Sequence, residues 1–339
     1  MNYKLLGKTG LRVSELCLGT MTMGEEWGYG ANKEESQKIF DAFANAGGNF
    51  IDTANRYTEG TSEKFLGEFM ASDRDHFVLA TKYTLFDKLD DPNYSGNHRK
   101  NMMRSVEASL KRLNTDFIDV LYLHAWDFVT PIEEILRGLD DLVSQGKVHY
   151  LGISDTPAWI ISEANTIADM RGWNRFNALQ LEYSLIQRTP ERDLIPMSIS
   201  KEIGITAWAP LAGGALTGKY LEGNDDNKRL KEGSDRLNDR SRAIAQTVVE
   251  VAGEIGCSPA QLAIAWTMRN YSHIIPVIGA RKISQIEDSL GYLEVKISDE
   301  QLQRLNDVSE IELGFPHDFL QKDGVKMVTY GGTIDKLVR

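Results

Sequence analysis

Short apolar runs, polar loops and amphipathic stretches alternate along most of this 339-residue chain. Apolar runs rich in β-branched residues predict strands at Leu16–Gly19, Asn49–Asp52, Phe77–Thr81, Phe117–His124, Tyr150–Ser154, Ala178–Glu182, Ile205–Trp208 and Ile274–Ile278. Helical spacing falls between them. Ile39, Phe40 and Phe43 share one face of a stretch that stops at Gly47, and Met103, Val106, Leu110 and Leu113 share another. A third helix opens at Pro131 and stops at Gly146, and two more precede the last strand. Eight strand–helix alternations favour a parallel sheet with helices outside it. An open doubly wound sheet and a closed barrel both satisfy that pattern. The count of eight favours the barrel, as does the short hairpin read from "MNYKLLGKTGLRVSEL" with its turn at Lys8-Thr9-Gly10. The expected architecture is α/β, a (β/α)8 TIM barrel in a single domain. A hairpin plug spans 1–15, the barrel 16–308 and a C-terminal tail 309–339. Leu211–Asn238 is the longest stretch without periodicity and reads as a functional loop.

In a (β/α)8 barrel the C-terminal strand ends converge on one mouth, where active sites lie. Here that mouth collects Asp52 and Tyr57 from the second strand, Lys82 from the third and His124 from the fourth. Ser154 and Asp155 end the fifth, Gln180 the sixth, Trp208 the seventh, and Arg281 and Lys282 the eighth. Taken singly, each has a plain structural use: a turn cap, a solvated lysine, a core histidine. Together, Asp52, Tyr57, Lys82 and His124 suit protonation of an oxygen on which negative charge develops. An ammonium beside a phenol favours the phenolate, a carboxylate keeps that ammonium charged, and an imidazole steers the oxygen. "GISDT" is not G-x-S-x-G, so acyl transfer is disfavoured. The carbonyl carbon must receive something from elsewhere, and a hydride from a nicotinamide fits.

Composition narrows the partners. The net charge of −11 disfavours nucleic acid and anionic membrane surfaces. No apolar stretch approaches a membrane span. The two cysteines, Cys17 and Cys257, and the lack of a signal peptide point to a reducing cytoplasm. The six histidines show no metal-ligand spacing, so no metal is expected.

The segments "GKTGLRVSELCLGTM", "FIDTANRYTEGTSEKFLG", "ATKY", "SVEASLKRLNTDFIDVLYLH", "GKVHYLGISD", "LQLEYSL", "TAWAPLAGGALTGKY" and "IGARKISQIEDSL" occur in this order. They resemble the aldo-keto reductases over about Tyr3 to Val308, with closest likeness to the bacterial branch, which also resembles the β subunits of voltage-gated potassium channels. The resemblance implies an NADP(H)-dependent barrel enzyme acting on a small carbonyl substrate, an aldehyde or ketone, sugar-derived carbonyls included. Tyr57 is then general acid in reduction, Lys82 with Asp52 lowers its pKa, and His124 orients the carbonyl. Ser154, Asp155 and Gln180 are implied at the nicotinamide carboxamide and Trp208 against the ring. Further cofactor contacts are implied at Gly19, Thr20, Met21, Asp52, Ala209, Pro210, Leu211, Gly213, Lys219, Gly279, Arg281, Gln285, Asp288 and Ser289. Arg281, with Lys282 beside it, is assigned to the 2′-phosphate, which favours NADP over NAD. The family often has Asn where Asp155 stands, and Glu-Asn where Asp288-Ser289 stands. The aromatic-rich mouth loops offer Trp27, Tyr29, Asn55, Tyr83 and Trp126, with Met21, as a substrate pocket.

Two other readings stay open. One is a Schiff-base aldolase using Lys82, the other a non-catalytic NADP-binding regulatory subunit. The sequence fixes neither the substrate nor whether the chain forms a homo-oligomer. From Gly213, "GGALTGKY" matches the phosphate-binding G-x-x-x-x-G-K pattern, yet Tyr220 replaces its Ser or Thr and no helical pattern follows. It reads instead as the loop after the seventh strand, with amides of Leu211 through Gly213 facing a dinucleotide pyrophosphate and the polar segment beyond as a clasp.

Overall fold

A computed structural model describes residues 1–221, 230–231 and 233–337. Residues 222–229 and 232, where most of the expected clasp falls, lie outside the described residues. The N-terminal strands β1 (Tyr3–Leu5) and β2 (Arg12–Ser14) pair antiparallel as the hairpin. Eight parallel strands follow: β3 (Cys17–Gly19), β4 (Phe50–Asp52), β5 (Val78–Tyr83), β6 (Ile118–Leu123), β7 (Val148–Ser154), β8 (Phe176–Glu182), β9 (Gly204–Trp208) and β10 (Ile274–Ile278). They close in sequence order, with β10 pairing back onto β3. The expected (β/α)8 barrel is the observed fold.

Alternation along the strands sorts the side chains. Phe50 on β4, Val78 and Ala80 on β5, Val120 and Tyr122 on β6, and Ala178 on β8 form the apolar filling of the barrel. The intervening residues, among them Leu79, Leu121, Leu151 and Leu179, pack outward against the helices. Leu6 and Val13 of the hairpin join the inner filling and are fully buried. The hairpin is pinned there by Lys8 N–H to Glu202 O (2.8 Å) and by Asn49, whose side chain accepts from Ser14 N–H and donates to Arg12 O. It closes the end of the barrel opposite the mouth. Tyr122 spans the interior: its hydroxyl is 3.2 Å from Thr206 Oγ1, and its ring covers Gly152, where a Cβ would sit 2.5 Å from the ring. That packing requires glycine at 152.

The two helices whose stripes are clearest in the sequence bury most of them. Lys33–Asn45 buries Ile39, Phe40 and Phe43 and is capped by Asn32, which accepts from Glu35 N–H. Arg99–Leu113 buries Val106, Leu110 and Leu113 as expected, but Met102 is the fully buried methionine and Met103 is only partly buried. Beyond the barrel, the tail forms two short helices, His317–Gln321 and Asp323–Tyr330. Among the described residues no helix is long and apolar enough to cross a membrane, and no group of three or more His, Cys, Asp or Glu is placed to hold a metal ion. Cys17 is buried inside the barrel, and Cys257 is half-buried and unpaired.

Candidate active site

Register puts the polar residues together. Asp52 on β4 is opposite Ala80 on β5, so Lys82, two residues on, points into the barrel beside it. Lys82 Nζ lies 2.7 Å from both Asp52 carboxylate oxygens and 2.9 Å from Thr53 O. Its fourth contact is Tyr57 Oη at 3.2 Å. The lysine is fully buried. Gln180 on β8 completes the set, donating from Nε2 to Asp52 Oδ1 at 2.8 Å.

Tyr57 comes from the turn that follows β4. Thr58 and Glu59 are both left-handed there, at φ 46° and 56°. Such a conformation costs a non-glycine residue on the order of 1 kcal/mol and persists only when held. Thr58 Oγ1 donates to Met23 O (2.6 Å) and accepts from Ser62 N–H (3.2 Å). Glu59 accepts from Trp27 Nε1 at 3.1 Å and pairs with Arg56. The turn that carries the phenol is thus fastened to the loop after β3 through Met23 and Trp27.

His124 follows β6, its N–H shared between Tyr83 O and Thr84 Oγ1. Its ring stands edge-on to Tyr57, with centroids 5.9 Å apart. Nδ1 is buried without a partner, which leaves Nε2 to meet a ligand. Burial, aided by the Lys82 charge, holds the imidazole well below its usual pKa, so it is neutral at physiological pH.

Lys82 acts on Tyr57 in the expected direction, downward, but burial acts against it. Burial is the largest influence and raises its pKa; the Lys82 ammonium opposes this, and the Asp52 charge adds to it. The net shift is upward from 10.0, so the cavity wall outweighs the ammonium and the phenol keeps its proton. For Lys82 burial acts downward, but Asp52 and Tyr57 outweigh it and the ammonium is held charged.

A groove of about 620 Å³ runs from this cluster outward across the mouth. Asp52, Tyr57, His124, Ser154, Asp155, Gln180 and Trp208 line its inner end, with Gly19 and Met21 beside them. Ala209, Pro210, Leu211, Gly213 and Lys219 line its middle, and Gly279, Arg281, Gln285, Asp288 and Ser289 its far end. Trp208 Nε1 donates to Asp155 Oδ1 at 3.3 Å, and the Arg236 guanidinium lies 5.7 Å from the indole ring. Asp155 has φ 41°, a left-handed position that Asp and Asn tolerate best. That backbone reason accounts for either residue at 155.

Several expected residues are elsewhere. Thr20 is buried behind the groove, donating to Asp52 O and touching Ser62 Oγ. Tyr83 follows inward Lys82 and therefore points outward into the helix layer, where its hydroxyl meets Asn97 O. Asn55 is buried and spent on Asp87 and Leu85 O, fastening the loop after β5. Trp126 packs against the outer core, and Tyr29 leans on Trp27 while half exposed. Of the substrate candidates, Trp27 and Met21 line the groove, joined by Arg56 and Leu85, which the sequence reading missed. Lys282 is not part of the lining. Asp288 gives its carboxylate to Ser258 and Gln261. No described tail residue lines the groove.

The glycine-rich loop also departs from expectation. Ala212 N–H is used internally, on Ala209 O, and so does not face the groove as an anion donor. Gly213 and Gly214 are left-handed at φ 69° and 91°. A Cβ on Gly214 would sit 2.9 Å from Lys219 Cε, so its absence lets Lys219 fold back over the loop. Tyr220, the residue that spoils the phosphate-loop pattern, is buried, its hydroxyl accepting from Leu230 N–H.

The chain was compared with known proteins. The profile of the Aldo/keto reductase family matches residues 15–310. An aryl-alcohol dehydrogenase [NADP(+)] of Phanerodontia chrysosporium is 41% identical over 91% of this chain and 86% of its own length. Norsolorinic acid reductase stcV of Emericella nidulans is 39% identical over 92% and 82%. Aldo-keto reductase ausK of Aspergillus calidoustus is 35% identical over 95% and 85%. All three are fungal, and the finer expectation of a bacterial branch with channel-subunit likeness rests on none of them. A closed eight-stranded barrel, a buried carboxylate–lysine pair under a tyrosine at its mouth, and a family match spanning the barrel lead to one assignment: the chain is an oxidoreductase of the aldo/keto reductase family.

Proposed function

We propose that the protein interconverts an aromatic aldehyde or ketone and its alcohol, with NADP(H) as redox partner. The observation that carries this reading is Tyr57, whose hydroxyl sits 3.2 Å from the buried Lys82 ammonium and lines the groove beside neutral His124. The groove suits an extended dinucleotide. Trp208 offers a flat apolar platform at the inner end, flanked by Ser154 and the Oε1 of Gln180. Lys219, folded over Gly214, puts a cation at the middle, and Arg281 puts one at the far end, where a 2′-phosphate would distinguish NADP from NAD.

The hydride for the carbonyl carbon would come from NADPH held along the groove against Trp208. His124 holds the carbonyl oxygen with its groove-facing nitrogen. Tyr57 gives that oxygen its proton, and Lys82 stabilises the phenolate left behind. Asp52 keeps Lys82 charged and in place, which also removes support for a Schiff-base role. In the oxidative direction the same phenolate takes the proton from the alcohol.

The aromatic preference is supported by Trp27, Leu85 and Arg56 at the mouth, the last 4.4 Å over Phe86, and by the aryl-alcohol dehydrogenase name of a relative. The test follows NADPH consumption with matched aromatic and aliphatic aldehydes and ketones. Faster turnover of the aromatic members supports the reading. A preference for aliphatic carbonyls overturns the substrate class, and no turnover with any carbonyl favours the regulatory-subunit alternative.

A further inference from the structure

We propose that Asp155 sets which oxidation state of the cofactor the site binds more tightly: its carboxylate favours the positively charged ring of NADP+ over the neutral ring of NADPH. The inference rests on the reading that the groove holds NADP(H) with its nicotinamide against Trp208.

Three observations place the charge there. Asp155 lines the inner end of the groove with Ser154, Gln180 and Trp208. Its Oδ1 accepts from Trp208 Nε1, so the carboxylate sits at the edge of the aromatic platform. Its backbone is fixed in the left-handed region and tied by Asp155 N–H to Gln180 O and by Trp126 N–H to Asp155 O, each 3.4 Å.

The charge is only partly offset, by the Trp208 hydrogen bond and the Lys82 charge. Among the described residues Asp155 has no ion-pair partner. Lys82 is spent on Asp52, and Arg236 is spent on Glu182. Glu182 itself adds negative charge from β8, Tyr57 and His124 face the site uncharged, and Trp208 contributes only a dipole. The two cofactor forms share their phosphates, riboses and adenine, and those contacts cancel in the ratio of their affinities. What differs is one positive charge on the ring, and a carboxylate lining its pocket acts on that difference directly.

The same geometry makes the ratio depend on pH. Asp155 is exposed at the groove, and partial desolvation by the groove walls raises its pKa above the ordinary carboxylate value, against the opposing Trp208 hydrogen bond and Lys82 charge. When Asp155 is protonated the preference for NADP+ is weakened, and it grows as pH rises through that titration.

The experiment measures equilibrium binding of NADP+ and NADPH, without substrate, from about pH 5 to about pH 8. It uses the wild type and Asp155→Asn. Asn tolerates the left-handed backbone and still accepts from Trp208, so only the charge is removed. The expected result is a shift of about tenfold in the Kd ratio toward NADPH in Asp155→Asn at the upper pH. The wild-type ratio should converge on the variant's as pH falls. Trp208→Phe, which removes the hydrogen bond and keeps the carboxylate, should retain the wild-type direction of preference. Tight binding of both forms with a ratio unchanged by Asp155→Asn overturns this proposal alone. Failure of both forms to bind the wild type overturns the cofactor reading and this inference with it.

Discussion

Lys82 Nζ contacts both carboxylate oxygens of Asp52 at 2.7 Å, and neither side chain is more than 4% exposed. A buried ion pair of this kind gains little over an apolar pair, but breaking it leaves a bare charge in a low-dielectric interior. Lys82→Met should therefore cost about 3–5 kcal/mol of stability. Lys82→Met combined with Asp52→Asn should recover most of that loss while remaining inactive. Denaturant unfolding of the three proteins checks this, and equal stability of the single and double variants would show that the pair is not held as described.

Tyr57→Phe removes one hydroxyl and keeps the ring edge against His124. Turnover should fall by about 10²–10⁴-fold. NADPH affinity, measured by direct titration, should change little, because in the proposed mechanism the hydroxyl serves the substrate oxygen. A proportional loss of cofactor binding would assign Tyr57 to positioning the cofactor.

Because burial raises the Tyr57 pKa above 10.0, the phenol is protonated through the neutral range. Reduction, which uses the acid form, should have a single-turnover rate that is flat across neutral pH and falls only in strongly alkaline solution. Oxidation, which uses the phenolate, should rise with pH over the same range. A reduction rate that falls between about pH 7 and 8 would mean that Lys82 outweighs burial once the ligands are bound.

His124 is depressed well below 6.5 by burial. The sign follows from proton counts: below the unfolded pKa the unfolded chain takes up a proton that the folded chain refuses. Stability from this residue is therefore complete above about pH 6.5 and is lost as pH falls beneath it, by up to about 1.4 kcal/mol per pH unit. His124→Gln should flatten that part of the stability profile, as read from denaturant midpoints against pH, while raising KM for the carbonyl substrate.

Arg281 lines the far end of the groove. Arg281→Ala should weaken NADPH by about tenfold or more and leave NADH nearly unchanged, because only NADPH carries the 2′-phosphate. Parallel titrations decide it, and an equal loss for both cofactors would place the phosphate elsewhere.

The barrel and the inner cluster were legible in the order of residues alone. Apolar runs located all eight barrel strands within a few residues, because a parallel strand covered on both faces must be apolar nearly throughout. The strand ends then fixed Asp52, Lys82, His124 and Gln180, since fold topology alone brings those ends to one mouth. Weaker signals were harder to read. The helix Ala158–Arg171 exposes Trp159 and Met170, so its apolar residues ring the cylinder and blur the period. Tertiary structure decided the rest. Which of Lys82 and Tyr83 faces inward is a matter of register, and a shift of one residue exchanges them. Whether Asn55 meets substrate or a neighbouring loop depends on where Asp87 lies, 32 residues away. The direction of the Tyr57 shift depended on burial against a nearby ammonium, and no sequence spacing records how much water a cavity wall excludes. The chain could name the polar groups of the mouth because their order along the strands is covalent; their protonation and their neighbours are set by distances across the barrel.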